Sequence, residues 1–204
     1  MEDQELESFV KFIFELGQLK RTPRSGWLKL GIDNPETVAD HSFRTAALGF
    51  FLAVLEGENP HEVAGFCLFH DIAETRTLDL DWLAQDYLEK DDYLSSKVLE
   101  DQIEGLPEDL RDKLNGIINR GKGNDRITRI ARDADLLDLL FQALEYSHQG
   151  NPLARPWFFN SASDLTTKSG KRIAKYLAEK EESGELEELL TWWKSLKVRR
   201  DRDN

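Results

Sequence analysis

Apolar residues recur along most of this chain at the spacing of an α-helix, and this regularity constrains the fold more than any other feature. The first such segment has Phe9, Phe12, Ile13 and Leu16 at positions i, i+3, i+4 and i+7, the pattern of one buried helical face. No segment shows the alternation of apolar and polar residues that is typical of a half-buried strand. The sequence therefore predicts an all-α fold, a compact helical bundle with irregular connections.

Prolines and glycines divide the chain into the predicted helices. A long ordered loop is expected over residues 20–36, "KRTPRSGWLKLGIDNPE", which contains two prolines and two glycines. After the first helix, the predicted helices cover about 37–55, 60–74, 80–88, 107–120, 125–147, 165–182 and 184–197. The chain has no repeat and no low-complexity linker, so residues 1–204 are predicted to form a single domain.

Composition and charge limit the classes of function. The chain has 204 residues, of which 40% are apolar, enough to bury one sizeable core. Its formal charge of −12 argues against binding to duplex nucleic acid, because phosphate contacts need clustered Lys and Arg. The single cysteine, Cys67, is expected to be a small buried residue and fits a reducing compartment. The acidic start does not resemble an export signal, and no apolar run approaches the roughly 20 residues that span a bilayer. We therefore expect a cytoplasmic protein that is not bound to a membrane.

The segment "FHDIAET", residues 69–75, places a histidine and two carboxylates in a strongly apolar helix. The apolar residues of this helix cover nearly its whole circumference, which predicts a central helix rather than a half-exposed one. A charge buried there is costly unless it is paired or bound to a metal. Glu74 follows His70 by one helical turn and is expected on the same face. Taken alone, the dipeptide His70-Asp71 is also compatible with a helix that simply reaches solvent.

Further candidate metal ligands occur in two other predicted helices. His41 stands near the start of one, and Asp133, Asp135 and Asp138 lie in the apolar stretch "ARDADLLDLLFQALEY" of the other. Asp133 and Asp135 are about 200° apart on a helix and cannot both face one pocket. Asp135 and Asp138 are both plausible inward-facing carboxylates, and the periodicity does not choose between them. Two imidazoles with two carboxylates suit a divalent transition metal ion.

The ordered set His41…His70-Asp71…Asp135 resembles the ligand set of the HD-domain metal-dependent phosphohydrolase superfamily. The chain is most similar to the branch that includes bacterial 5′-deoxynucleotidases and their small eukaryotic and archaeal relatives. The resemblance rests on the segments "LKRTPRSGWL", "PETVADHS", "HDIAET", "LPEDLR" and "DADLLD…QALEY". It implies a single HD domain, with a metal-site core at about 6–148 and C-terminal helices at about 165–197. It also selects Asp135 as the fourth ligand.

The resemblance implies an activity, the hydrolysis of the 5′-phosphate of a deoxynucleoside monophosphate. One divalent transition metal ion (manganese, cobalt, iron, zinc or copper) would be held by His41, His70, Asp71 and Asp135. Superfamily members with two metals have further histidines before the last aspartate. This chain has none between residues 72 and 134, so a single ion is expected.

Four further residues match positions that surround the metal in this family. Glu74 matches the acidic residue that orients or deprotonates the attacking water. Asp79 matches an acidic position close to the leaving group and is a candidate catalytic acid or sugar contact. Arg24 and Trp27 match positions that bind the phosphate and discriminate against a ribose 2′-hydroxyl. A guanidinium fork suits a phosphate, and a Trp ring can exclude a hydroxyl by shape.

Two segments depart from the family pattern. Relatives commonly have glycine before the aspartate that follows the HD helix, whereas this chain has Leu78, so the turn that aims Asp79 is expected to differ. The segment "NRGKGN" replaces an acidic-aromatic one and is interpreted as a solvated helix end, with a Gly-Lys-Gly loop that contacts phosphate as the alternative. His61 is expected on the surface and His148 in the last turn of a helix, where a cation interacts well with the helix dipole.

Two other functions compete with the nucleotidase. A pyrophosphohydrolase for an alarmone or a nucleoside triphosphate is disfavoured by Thr75, because relatives that cleave alarmones tend to have a second acid there. A module that binds nucleotides without catalysis is disfavoured by Glu74, since it needs no acid to activate water. The aromatic clusters "PWFF" and "TWWK" are interpreted as core or subunit contacts, and we expect a homodimer.

Overall fold

The computed structural model describes residues 2–87, 92–120 and 123–195, and within these ranges every regular element is a helix. The prediction of an all-α fold is thereby confirmed. The α-helices are, in chain order, α1 (Asp3–Leu16), α2 (Ser25–Leu28), α3 (Val38–Glu56), α4 (Pro60–Phe69), α5 (Glu74–Thr77), α6 (Trp82–Tyr87), α7 (Asp92–Ile103), α8 (Glu108–Arg120), α9 (Arg126–His148), α10 (Arg155–Ser161), α11 (Lys168–Ser183) and α12 (Leu186–Leu190). Short 3₁₀ helices cover Gly17–Lys20, Ala162–Asp164 and Trp192–Ser195.

The long helix α9 lies at the centre of the bundle. Its buried residues occupy all sides of the helix, and α3, α4, α10 and α11 pack around it. The prediction that the helix before the His-Asp pair is the central one is therefore wrong. That helix, α4, buries Val63 and Cys67 but leaves Leu68 46% exposed. The expectation that Cys67 is buried is confirmed.

Helix α3 packs one face against α4 and α9. Thr37 and Asp40 cap its start by reciprocal hydrogen bonds between side chain and backbone. Its buried residues repeat every three or four positions and are Val38, His41, Ser42, Thr45, Gly49, Leu52 and Ala53. A side-chain carbon at Gly49 would lie 2.8 Å from Sγ of Cys67, so glycine allows α3 and α4 to approach closely.

Contrary to the sequence prediction, α3 is long and apolar enough to cross a membrane by length and composition alone. The helix nevertheless carries His41 and Arg44 into polar contacts inside the bundle. A core helix of a globular protein meets the same length and composition, and these polar contacts favour that interpretation.

Two clusters of buried apolar residues stabilise the bundle. The larger lies between α3, α4, α9, α10 and α11 and includes Cys67. The smaller joins α1 and α7 to the segment after α4 and consists of Phe12, Ile72, Leu99, Ile103 and Leu106. The chain therefore passes from the larger core to the smaller one between Cys67 and Ile72, and His70 and Asp71 lie in this passage.

The predicted loop 20–36 is closed at its base. Pro23 and Thr37 form an isolated antiparallel β-bridge, and the backbone N–H of Arg24 donates to the carbonyl oxygen of Glu36 at 3.0 Å. Inside the loop, the single-turn helix α2 carries Trp27 into the larger core. The closure fixes the start of α2 beside the start of α3.

The aromatic clusters have different environments. Phe158 of "PWFF" is completely buried. Trp192 and Trp193 of "TWWK" are 60% and 55% exposed, so this cluster does not belong to the core, and its interpretation as a subunit contact stays a prediction.

Several boundaries also differ from the predictions. The predicted helix 184–197 is reduced to α12 and a 3₁₀ turn, and residues 196–204 lie outside the described ranges. The periodicity does not predict α7 or the short helix α10. Gly121 and Lys122 of the "NRGKGN" segment also lie outside the described residues.

Candidate metal centre

The sequence predicts that the His-Asp pair lies on a helix that continues to Glu74. In the structure the pair lies on tight turns instead. Helix α4 ends at Phe69. Nδ1 of His70 lies 2.8 Å from the carbonyl oxygen of Cys67 and occupies the acceptor that a continuing helix would use for the Asp71 N–H. The following backbone bonds join residues three apart, for example from the Glu74 N–H to the Asp71 carbonyl oxygen at 3.0 Å. These turns lead into α5, which begins with Glu74.

His41 is completely buried at the start of α3, and both of its ring nitrogens face carboxylates. Nδ1 lies 2.6 Å from Oδ2 of Asp138, whereas Nε2 lies 3.1 Å from Oδ1 of Asp135 and 3.6 Å from Oδ2 of Asp71. Burial alone would lower the pKa of His41, but the adjacent carboxylates of Asp135 and Asp138 outweigh burial and raise the pKa to about 10. Periodicity does not choose between Asp135 and Asp138 as the inward-facing carboxylate. In the structure both face His41, Asp138 at Nδ1 and Asp135 at Nε2.

His70 completes a cluster of two imidazoles and two carboxylates. Its Nε2 lies 3.1 Å from Oδ2 of Asp71 and 3.9 Å from Oδ1 of Asp135. The centroids of the His41 and His70 rings are 5.4 Å apart, and ligand atoms of His41, His70 and Asp71 all lie within 4.8 Å of one another. The structure therefore brings together the four residues that the family resemblance implies as ligands.

Three buried atoms at this cluster have no hydrogen-bond partner in the described part of the chain. They are Nε2 of His41, Oδ2 of Asp71 and Oε2 of Glu74. A buried polar atom left unpaired costs about 1–3 kcal/mol, and more when the group is charged. A divalent cation accepts nitrogen and oxygen donors together, so this set of residues fits such an ion.

Glu74 lies beside the cluster and is half-buried, with its Oε2 atom shielded from solvent. Burial raises the pKa of its carboxyl group to about 10, and the neighbouring carboxylates of Asp71 and Asp79 act in the same direction. The group therefore carries a proton at neutral pH unless a positive charge is placed next to it. Such a carboxyl group becomes a proton acceptor when a cation is bound nearby.

Arg44 forms a layer of contacts behind His41. Its Nε donates to Oδ1 of Asp138, and its Nη1 donates to Oε1 of Glu145 at 2.8 Å. Glu36, His41 and Asp138 are also close enough together to hold a cation, but Asp138 is already bound by Arg44. The sequence gives one signal of this layer, since Arg44 follows His41 by one helical turn.

Arg24 and Asp79 meet at the edge of the cluster. Nη1 of Arg24 lies 3.4 Å from Oδ1 of Asp79 and 3.7 Å from Oδ2 of Asp71. The backbone N–H of Ser25 donates to Oδ2 of Asp79 at 2.5 Å. Leu78, which directly precedes Asp79, has φ of 62° and ψ of 166°, a conformation that strongly favours glycine. Leu78 therefore makes this turn with backbone strain.

Trp27 is buried and held on three sides. Its Nε1–H donates to Oε1 of Glu36 at 3.0 Å, and its ring stacks on Trp157 with centroids 4.9 Å apart. Tyr146 meets the ring edge-on at 5.1 Å, and its hydroxyl oxygen accepts the backbone N–H of Glu36 at 2.7 Å. Burial, together with Asp138, raises the pKa of Glu36 to about 7. These contacts fix the indole ring in one orientation.

A cavity of about 320 Å³ opens beside the cluster. Four residues of the predicted site line it, namely Arg24, Trp27, Asp79 and Asp135. Its walls also include Trp82 of α6 and Trp157 of α10. The sequence predictions do not include these two tryptophans. Trp157 reaches the site from a distant segment, whereas Trp82 follows Asp79 by only three residues, and this closeness is the one sequence signal for it.

The two remaining histidines lie outside the cluster. His61 is exposed at the start of α4, as predicted. His148 is exposed in the last turn of α9, where its Nε2 lies 2.8 Å from Oε2 of Glu181.

Known proteins resemble the chain in sequence and in fold. A family model of the HD domain matches residues 16–182. The human 5′-deoxynucleotidase HDDC2 is 27% identical over 140 residues, which cover 68% of this chain and 68% of the human protein.

Solved structures of two archaeal proteins are also similar. A predicted coding region from Archaeoglobus fulgidus is 35% identical, with a TM-score of 0.61 over 85% of this chain and 95% of that one. A conserved hypothetical protein from Pyrococcus furiosus is 27% identical, with a TM-score of 0.68 over 83% of this chain and 97% of that one.

Proposed function

The chain belongs to the HD-domain family, and on this basis we propose that it removes the 5′-phosphate from deoxynucleoside monophosphates in a metal-dependent reaction. The observation that carries the proposal is the cluster of buried donors, two of which are Nε2 of His41 and Oδ2 of Asp71, without hydrogen-bond partners among the described residues. The similarity to a human protein named as a 5′-deoxynucleotidase supports the class of substrate.

We infer that one divalent transition metal ion is held by His41, His70, Asp71 and Asp135. Manganese, cobalt, iron, zinc and copper all accept these donors. When bound, such an ion lowers the pKa of a water molecule and polarises a phosphoryl oxygen. Asp138 keeps the proton of His41 on Nδ1, and the Cys67 carbonyl oxygen does the same for His70, so both Nε2 atoms remain electron-pair donors.

Glu74 is the proposed base for the attacking water. Its carboxyl group is buried next to Asp71, and a positive charge held by the cluster favours its ionised form. The carboxylate accepts a proton from the water as the water oxygen bonds to phosphorus. The bond between phosphorus and O5′ breaks, the released O5′ takes up a proton from solvent water, and Glu74 later returns its proton to solvent.

Arg24 is the proposed phosphate contact. Its guanidinium group lies at the edge of the cluster and can bind phosphate oxygens through paired N–H donors. Asp79 accepts hydrogen bonds from Arg24 and from the Ser25 N–H, so we infer that it positions Arg24 close to the leaving group.

Trp27 is proposed to discriminate against a ribose 2′-hydroxyl. Its contacts with Glu36, Trp157 and Tyr146 prevent the ring from moving away from a larger sugar. Shape alone discriminates weakly, by a factor of about 10–200. We therefore expect a preference for deoxyribonucleotides and not an absolute requirement.

We further expect the protein to act in the cytoplasm on free mononucleotides, away from duplex nucleic acid and membranes, and to form a homodimer. One face of α3 supports the dimer, because Phe43, Phe51 and Leu55 are 74%, 63% and 64% exposed there. Apolar surface of this kind is typical of protein interfaces. Sedimentation velocity checks the prediction, and a monomer at micromolar concentration would contradict it.

Phosphate release from metal-stripped protein, resupplied with manganese or cobalt, tests the proposed function. The substrates are dAMP, AMP, dATP and an alarmone at equal concentration. We expect metal-dependent phosphate from dAMP and little from AMP or dATP. If elemental analysis shows bound metal but no substrate is turned over, a nucleotide-binding module without catalysis would be favoured instead. His70→Ala should lose metal and activity together.

A further inference from the structure

The cavity beside the proposed metal centre extends beyond the residues that handle the phosphate and the sugar. Arg24, Asp79 and Asp135 line it where it meets the cluster, and Trp27 and Trp157 form an aromatic wall. The remaining lining includes Trp82 and Gln85 of α6, to which the proposed reaction assigns no role.

Trp82 differs from the other two tryptophans of this cavity. Trp27 and Trp157 stack on each other, and Trp157 also packs against Gly26, where an added side-chain carbon would lie 3.2 Å from its ring. Trp82 is 60% exposed and contacts no other aromatic ring in the part of the chain that the structure describes. Its indole face is therefore available to a planar ligand.

The start of α6 is fixed relative to Arg24. Oδ1 of Asp81 accepts the backbone N–H groups of Leu83 and Ala84 at 3.0 and 3.1 Å, and so caps the helix. Nζ of Lys29 lies 3.0 Å from Oδ2 of Asp81, which ties this cap to the end of α2. Asp79 binds the other end of α2 through the Ser25 N–H at 2.5 Å. The Lys29–Asp81 ion pair and the Ser25–Asp79 hydrogen bond thus hold the start of α6, and with it Trp82, at a fixed position beside Arg24.

We propose that Trp82 is the stacking platform for the nucleobase of the substrate. This inference rests on the proposed function, in which Arg24 binds the phosphate and Trp27 faces the sugar. The base of a nucleoside monophosphate then lies in the part of the cavity formed by α6. Stacking tolerates every base because each has a π face, so the subsite accepts all four bases and favours purines, which cover more of the ring.

Trp82→Ala and Trp82→Phe, measured on dAMP and on 2-deoxyribose 5-phosphate, test the proposal. Stacking of one base on an aromatic ring is worth about 1–3 kcal/mol. The Ala variant should therefore lose about 5- to 150-fold in kcat/KM for dAMP and less than about threefold for 2-deoxyribose 5-phosphate, which has no base. The Phe variant should retain most of the activity on dAMP.

Trp192→Ala is the matched control, because Trp192 is also 60% exposed and does not line the cavity. An equal loss on both substrates, or no loss on dAMP, would overturn the proposal. Calorimetric titration of metal-loaded protein with dAMP separates it from the proposed function. If wild-type protein binds dAMP more tightly than Trp82→Ala does but releases no phosphate, the proposed nucleotidase activity is overturned and the base subsite is retained. Wild-type protein that does neither would overturn both.

Discussion

Nδ1 of His41 and Oδ2 of Asp138 lie 2.6 Å apart, on the side of the imidazole opposite to Nε2. This contact determines which nitrogen is available to the proposed metal, because Nε2 is left facing Asp71 and Asp135. Asp138 is held in turn by Arg44, which is bound to Glu145 at 2.8 Å. Asp138 thus acts on the cluster without belonging to it.

Asp138→Asn should weaken metal binding by about 10- to 100-fold, the usual effect of removing the partner of a metal-binding histidine. The amide cannot keep the Nδ1 proton of His41 in place as the carboxylate does. Competition with a coloured chelator measures the affinity, and Asp164→Asn is an exposed control outside the site. Unchanged affinity in Asp138→Asn would show that the ring needs no such partner.

Glu74→Gln should retain metal while turnover falls by roughly 10²-fold or more, the scale of positioned acid–base catalysis. The amide has the same shape but cannot accept the proton of water. Metal content and turnover are measured on one preparation, with Glu179→Gln as an exposed control. Loss of the metal would instead identify Glu74 as a ligand.

Leu78→Gly should raise the free energy of unfolding by about 1 kcal/mol, because it relieves a φ of 62° that glycine adopts without strain. Leu78 is 61% exposed, so little packing is lost. Urea unfolding at equilibrium gives the measurement. Leu78→Ala is the control, since alanine keeps the strained side-chain carbon and should not stabilise the protein. Equal effects of both substitutions would argue against backbone strain.

The stabilising effect of Glu15 should disappear in acid. Its carboxylate accepts hydrogen bonds from Arg76 at 2.6 Å and from Gln102 at 2.9 Å. Burial opposes ionisation, but these bonds outweigh it and lower the pKa of Glu15 below its ordinary value of 4.5. A lowered pKa in the folded state means that the stabilisation is fully present above about pH 4.5 and is lost as the pH falls through the folded pKa.

The comparison of wild type with Glu15→Gln checks this sign. The difference in their free energies of unfolding should be largest near about pH 6 and should shrink towards about pH 3. A difference that grows in acid would contradict the assignment. Gln102 and Thr75 bind Glu15 next to α5, so the same variant also reports on the support of Glu74.

Regular periodicity made the helical class and the main helices predictable. The pattern was less accurate for the buried faces of these helices. In α1 it marks Phe12 correctly, but Ile13 of the same predicted face is 49% exposed. In α3 the buried face includes His41 and Thr45, whereas Phe43 is exposed. The end of α4 was not predictable in this way. It depends on a side-chain contact between His70 and the Cys67 carbonyl oxygen, and the apolar pattern continues past it to Ile72.

The metal cluster was predictable in part. Histidine and aspartate in a short motif, within an apolar stretch, indicate the candidate ligands His70 and Asp71. Their surroundings depend on contacts between distant segments, such as Glu36 with Tyr146 and Trp27 with Trp157. The choice between Asp135 and Asp138 remained open from periodicity because both residues face His41.

The proposed ligands are carried by α3, by the turn after α4 and by α9. During synthesis, His41, His70 and Asp71 leave the ribosome before Asp135, so a nascent chain has no local version of the site. A nascent chain therefore contains two of the proposed imidazole ligands and one carboxylate ligand before α9 has been synthesised. Capture of the ion is thus delayed until most of the bundle has been made, and a released chain completes the centre only as α9 docks.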